Sequence, residues 1–305
     1  MKYFKPLVIL ALSASTLLVI LGGVVHNTGS SLACPDWPLC FGQVFPKMEG
    51  QVAIEHSHRL LATFVGLCMI GLVLIGSGFR KKRPDLFRAS LIGLALVIFQ
   101  GVLGGATVLL KLSPIISTLH LATSQIFLGL LLWLMIHSFD QNFGLKTSMP
   151  SEVRGYLKWA VLFVFVQMCL GALIRHGGAS VACGLGPNSA LLCVEHENFG
   201  RSFWPTLGLA QLHMLHRYLG LITGAVVVGT SLPVLKWARS QGLKPLRLWI
   251  VSSHALWLLQ VVLGVLSLTT YLGPVSVTAH LGCGMLLWLN VLGLFFLVGK
   301  SCATA

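Results

Sequence analysis

The sequence carries very little charge. Asp, Glu, Lys and Arg make up only 10% of its 305 residues, and the acids number 8, against about 25% charged residues in an ordinary soluble domain. That shortage excludes a water-soluble globular chain. The first apolar run, which ends in Gly22-Gly23-Val24-Val25, lacks an obvious small-x-small cleavage site, so it reads as a retained helix and not as a cleaved leader. No Arg- and Ser-rich transit peptide precedes it, and a bacterial plasma membrane is the simplest address.

Apolar sequence fills the space that charge leaves. Hydrophobic residues make up 55% of the chain and its mean hydropathy is +0.86. Eight stretches, at roughly 6–25, 55–78, 89–110, 115–137, 156–175, 209–235, 248–271 and 275–299, are long enough to cross about 30 Å of hydrocarbon at about 1.5 Å per residue. Helix is the conformation that satisfies its own backbone in lipid. The expected fold is all-α integral membrane, with eight transmembrane helices.

The net charge of +13 raises nucleic acid as a partner, but its distribution excludes that reading. With an even number of spans, both ends share one side, and 15 of the 21 basic residues fall there, including Lys2, Lys5 and the run Arg80 to Arg83. This is the positive-inside pattern with both termini cytoplasmic. Membrane lipid is the expected surrounding.

The chain also repeats itself. EHSHRLLATFVG at 55–66 matches HMLHRYLGLITG at 213–224, an offset of 158. QGVLGGATVLLKLSPIISTLH at 100–120 matches QVVLGVLSLTTYLGPVSVTAH at 260–280, an offset of 160, and GSSLAC at 29–34 matches GASVAC at 178–183, an offset of 149. Each half therefore holds four spans. Because four is even, the halves enter the membrane in the same sense, as parallel repeats. The expected domains are two pseudo-symmetric four-helix bundles, 1–146 and 147–305, meeting in the polar segment around 139–154 that contains Asp140, Pro150 and Glu152.

Eleven histidines are present, and an isolated one is by default a hydrogen-bonded structural residue. Four stand apart as repeat partners: His58 with His216 on the second helix of each half, and His120 with His280 on the fourth. All four lie near the outer end of their helices. Two imidazoles facing each other across a bundle suit the two axial positions of a heme iron. They make a poor closed zinc site, which needs four ligands. Small residues, Ala62 and Gly66 in one half and Gly220 and Gly224 in the other, are expected to admit a flat macrocycle. His56 should point away from His58, His213 should share a face with His216 and is a candidate to contact the edge of a bound heme, and the remaining histidines, His254 and His196 among them, are expected to be structural or solvated.

One position breaks the symmetry. Glu55 precedes His58 by three residues on the same helical face, and its repeat partner is His213. It is either a favourable charge at a helix start or a proton-handling, charge-stabilising group beside a reacting heme. Arg59 and Arg217 follow the ligands and either reach heme propionates or snorkel to the interface. Cys34 and Cys40 in the first outer loop, and Cys183 and Cys193 in the second, read as two local disulfides, with a redox thiol pair as the rival reading for the first loop.

These residues together resemble the heme A synthases, and the likeness covers essentially the whole chain. It is carried by GSSLACPDWPLC at 29–40, by Glu55, His58 and Arg59, by His213, His216 and Arg217, and by His120 and His280. The resemblance implies oxidation of the C8 methyl group of heme O to the formyl group of heme A by successive hydroxylations. It implies that His216 and His280 ligate heme b as cofactor, that His58 and His120 flank the substrate heme O, and that Glu55 is the essential acid. The outer-loop cysteines match the family's paired cysteines. The partners implied are an electron-transfer partner and either heme O synthase or terminal oxidase assembly factors. His26 departs from the pattern, which leads one to expect arginine there; Arg175 holds the equivalent place in the second half. A diheme electron-transfer subunit and a heme transporter are the alternatives.

Overall fold

A computed structural model gives the fold. It describes residues 1–139, 151–189, 192–194 and 201–303. The boundary residues Asp140 and Pro150, the loop residue His196 and the side chains of Glu152 and Cys302 lie outside that description.

Among the described residues are eight long helices: α1 Phe4–Asn27, α2 Gly50–Ser77, α3 Pro84–Leu109, α4 Pro114–Ser138, α5 Ser151–His176, α6 Gly208–Ser240, α7 Lys244–Thr269 and α8 Pro274–Ala303. All eight are long and apolar enough to cross a membrane. A short antiparallel pair, β1 Cys193–Val194 and β2 Arg201–Ser202, lies in the second long loop. The chain is an all-α multi-pass membrane protein.

It divides into two compact units, Met1–Asp140 and Gln141–Ala305. In the first, α1 packs on α2 and α4, and α3 packs on α2 and α4. In the second, α5 packs on α6 and α8, and α7 packs on α6 and α8. Each unit is thus a four-membered ring of helices. Its second and fourth members, the histidine carriers, stand diagonally across from each other.

The repeat extends to the backbone of the tight connections. Lys111 and Leu112 adopt left-handed conformations just before Pro114, and Tyr271 and Leu272 do so before Pro274. The strain that L-residues meet there is offset by matching bonds, Leu112 N–H to the Thr107 carbonyl at 2.7 Å and Leu272 N–H to the Ser267 carbonyl at 2.8 Å. Proline then starts the helix, where it sacrifices no intrahelical hydrogen bond.

The aliphatic core of each unit lies toward the helix ends remote from the long loops. In the first it is built around Phe4, Val8, Met69, Leu72, Leu86, Leu131 and Leu134. In the second it includes Val234, Ile250, Leu294 and Val298. The histidines occupy the opposite end, six to eight residues into their helices, about 9–12 Å along the axis.

Leu131 is fully buried in the first core. Leu131→Ala should destabilise the protein by about 2–5 kcal/mol through lost transfer energy and a residual cavity. Thermal unfolding in detergent checks this, and an unchanged midpoint would show that the core is elsewhere.

Candidate heme-binding sites

Each of the four histidines rests against a glycine of a neighbouring helix. A Cβ on Gly22 of α1 would lie 3.1 Å from His58 Cε1, and one on Gly171 of α5 would lie 2.9 Å from His216 Cε1. A Cβ on Gly104 of α3 would lie 3.4 Å from His120 Cε1, and one on Gly264 of α7 would lie 3.2 Å from His280 Cε1. Gly22 and Gly171 differ by 149 in number, and Gly104 and Gly264 by 160, so the glycines are themselves repeat partners. A Cβ would crowd the imidazole at Gly22, Gly171 and Gly264, and at Gly104 it would just touch it.

His58 and His120 lie within electrostatic reach of each other, as do His216 and His280. The Nδ1 atoms of His58, His120 and His280 are buried and have no hydrogen-bond partner. Buried polar nitrogens without partners are costly, and a bound ligand would relieve that cost. Paired imidazoles on diagonal helices, backed by side-chain-free positions, fit a planar iron macrocycle.

The two pairs are not held alike. In the second unit, the Gln167 side-chain amide lies 3.1 Å from His216 Nδ1 and donates to the His216 carbonyl at 2.9 Å. The Gln260 amide lies 3.2 Å from His280 Nε2. In the first unit, Leu18 stands at the repeat position of Gln167, and Gln100, the partner of Gln260, donates to Thr123 Oγ1 instead. Carboxamides therefore contact both histidines of the second pair, whereas His58 meets only the backbone of Leu18.

Glu55 is buried, and its carboxylate is fully engaged. It accepts from the Cys34 N–H at 2.8 Å and from Arg59 at 2.6 Å. Arg59 also donates to the backbone carbonyls of Asp36, Leu39 and Cys34. The first outer loop is thus clamped onto α2. The Cys34–Cys40 disulfide closes it, and the Asp36 carboxylate accepts from the N–H groups of Phe41 and Gly42, both at 2.7 Å. Trp37 lays its ring on α3, where a Cβ on Gly105 would lie 2.6 Å from the indole. In the second unit Arg217 donates to the Ser189 carbonyl at 2.9 Å and approaches His213 Nε2 at 3.5 Å. A second disulfide joins Cys183 and Cys193. Both arginines serve as loop clamps here.

Several sequence expectations change. His56 does turn away from His58, with Nε2 at 2.9 Å from the Val44 carbonyl. Gly224 offers no seat for a macrocycle, because the Trp257 ring covers it, and Trp257 Nε1 donates to the Gly220 carbonyl at 3.1 Å. Gly220 faces the Gln167 amide, and Gly66 has nothing within 4 Å. The glycines that matter lie on the odd-numbered helices, and the two repeat offsets already aligned them. Gln167 gave no such signal, since its partner in the first half is Leu18. His254 is paired with Ser231 Oγ at 2.7 Å, a structural role.

A sequence model of the cytochrome oxidase assembly protein family matches the chain over residues 5–57 and 48–292. The chain is 32% identical over 187 residues to a protein of Shouchella clausii named "Heme A synthase", covering 60% of this chain and 62% of that protein's length. Proteins of the same name from Alkalihalophilus pseudofirmus and Bacillus cereus are 32% identical over 217 residues and 26% over 276. Those alignments cover 69% of both chains in the first case, and 88% of this chain and 85% of the relative in the second.

The loop network has a pH signature. The N–H of Gly42 foremost, with that of Phe41 and the charge of Arg59, holds the Asp36 pKa below its ordinary 3.8. A carboxylate depressed in this way stabilises the folded loop fully above the unfolded pKa, and the contribution is lost as pH falls through the folded value. Amide exchange at Phe41 and Gly42, corrected for its intrinsic pH dependence, should therefore accelerate only in acid. In Asp36→Asn that pH dependence should vanish; its persistence would assign it to another group.

Proposed function

This chain belongs to the cytochrome oxidase assembly protein family, and we propose that it is a heme A synthase, oxidising the C8 methyl group of heme O to the formyl group of heme A. The observation that carries the reading is the inequality of the halves. Equivalent histidine pairs sit in equivalent bundles, yet the Glu55–Arg59 pair of the first is His213–Arg217 in the second. A working site and a resident-cofactor site need that kind of difference.

In this reading His58 and His120 hold the iron of the substrate heme O. His216 and His280 hold heme b, which when bound supplies one-electron transfer. Gln167 and Gln260 fix the orientation of the two cofactor histidines, as partners beyond the metal's own ligands commonly do. The imidazoles of the first half, which no carboxamide holds, suit a group that must arrive and leave.

Glu55 is the acid of the working site. Its carboxylate is held in place from two directions, by the Cys34 N–H and by Arg59, so it meets positive charge or a departing proton without reorganising. The clamped loop, with Trp37 seated on Gly105, covers that end of the bundle and limits water. Oxidation of methyl to formyl is a four-electron change: each of two hydroxylations would take its oxygen from one water and release two electrons and two protons, the electrons leaving to an external acceptor, and the hydrated aldehyde then loses one water. The address is the bacterial plasma membrane with both termini cytoplasmic, and the partners are an electron-transfer protein together with heme O synthase or terminal oxidase assembly factors.

Expression in cells that make heme O, followed by heme extraction, tests this. Heme A should appear. Glu55→Gln keeps an acceptor for the Cys34 N–H but removes the charge, and should lower heme A formation about 100-fold or more while bound heme b stays constant. Heme b in both halves with no heme A formed would refute the synthase and favour a diheme electron carrier.

A further inference from the structure

Where the clamped loop meets α2 lies a cluster of side chains that the proposed reaction does not use. Cys34 and Cys40 are fully buried and His56 is 3% exposed. Their two sulfurs and one ring nitrogen lie within 4.8 Å of one another. The Val44 carbonyl accepts a hydrogen bond from His56 Nε2, which fixes the ring proton there. Nδ1 is left as a bare acceptor, buried and without any partner. A lone pair kept dry and unsatisfied is costly, and nothing in the disulfide form repays it.

We propose that Cys34, Cys40 and His56 form a soft-metal site that opens when the disulfide is reduced, and that the ion it takes is copper(I). Two thiolates and an imidazole match the preference of copper(I) for soft ligands. Zinc completes four-coordination with a fourth ligand, and three buried donors leave no water access to supply one. The Cα atoms of the cysteines are already 4.8 Å apart, so both sulfurs can face one ion with little backbone movement. Opening the bridge takes two electrons and two protons from a dithiol reductant, which leaves as its own disulfide. Copper(I) then displaces the two thiol protons, and each sulfur binds as thiolate. The site also reaches the proposed acid, because the Cys34 N–H that would move with ligation is the one that holds Glu55.

The test uses full-length, heme-loaded protein in detergent. One sample is kept as the disulfide, and another is reduced with a phosphine and desalted under anaerobic conditions. Copper(I) is titrated into each against the colorimetric chelator bicinchoninate. Reduced protein should take up one tight equivalent that the oxidised protein does not, with two sulfurs and one nitrogen in the copper X-ray absorption spectrum. The paired Cys34→Ser, Cys40→Ser variant should lose it, Cys183→Ser, Cys193→Ser should keep it, and His56→Ala should weaken it at least tenfold, heme content serving as the check on folding. Equal uptake by oxidised protein, sulfur-only ligation, uptake indifferent to the Cys34/Cys40 variant, or displacement by equimolar zinc(II) would overturn the proposal.

Discussion

An imidazole can cross the interior of a four-helix bundle only where the neighbouring helix gives up its side chain. That constraint is felt at Gly22, Gly171 and Gly264, each tight against the Cε1 edge of one histidine, while Gly104 meets His120 Cε1 at contact distance. The ring order of helices supplies the rest. Histidines ride on the second and fourth members of each ring and glycines on the first and third, so every histidine is backed from the side and directed across the diagonal. The dense aliphatic cores are displaced to the far ends of the bundles, leaving the histidine ends for something other than side chains.

On this shared frame the halves diverge through a few substitutions. Leu18 against Gln167 leaves the first histidine of the pair a backbone contact in place of a carboxamide, and Gln100 turns to Thr123 where Gln260 turns to His280. Val97 against Trp257 leaves Gly66 open where Gly224 is covered. Glu55 against His213 replaces a ring with a carboxylate that ties Arg59 and the disulfide loop together. The first three changes make the second half more filled around its histidines, as a retained cofactor would need; the fourth tightens the first outer loop. The first half has no carboxamide on its imidazoles and lies under a clamped loop.

Much of the fold was legible because the signals are long-range averages or exact repeats. Hydropathy over about 20 residues marks a span whatever its packing, although α2 starts at Gly50, a turn before the expected 55. His58, His120, His216 and His280 stood out because chance seldom aligns four polar residues in apolar helices. The contacts of Arg59 were not legible. They depend on where the carbonyls of Asp36 and Leu39 point, which loop closure decides and helical periodicity does not. Gly220 and Gly224 were misjudged as a macrocycle seat for a related reason. Smallness marks a close approach, but not which neighbour makes it, and here the neighbours are Gln167 at Gly220 and Trp257 at Gly224.

The central claim is that equivalent histidine pairs hold unequal occupants, one resident and one exchanging. Low-temperature electron paramagnetic resonance of the purified, oxidised, heme-loaded protein reads that claim directly. The account requires a low-spin bis-imidazole signal that persists in His58→Ala and His120→Ala and disappears in His216→Ala and His280→Ala. A signal lost with the first pair and retained without the second would contradict it.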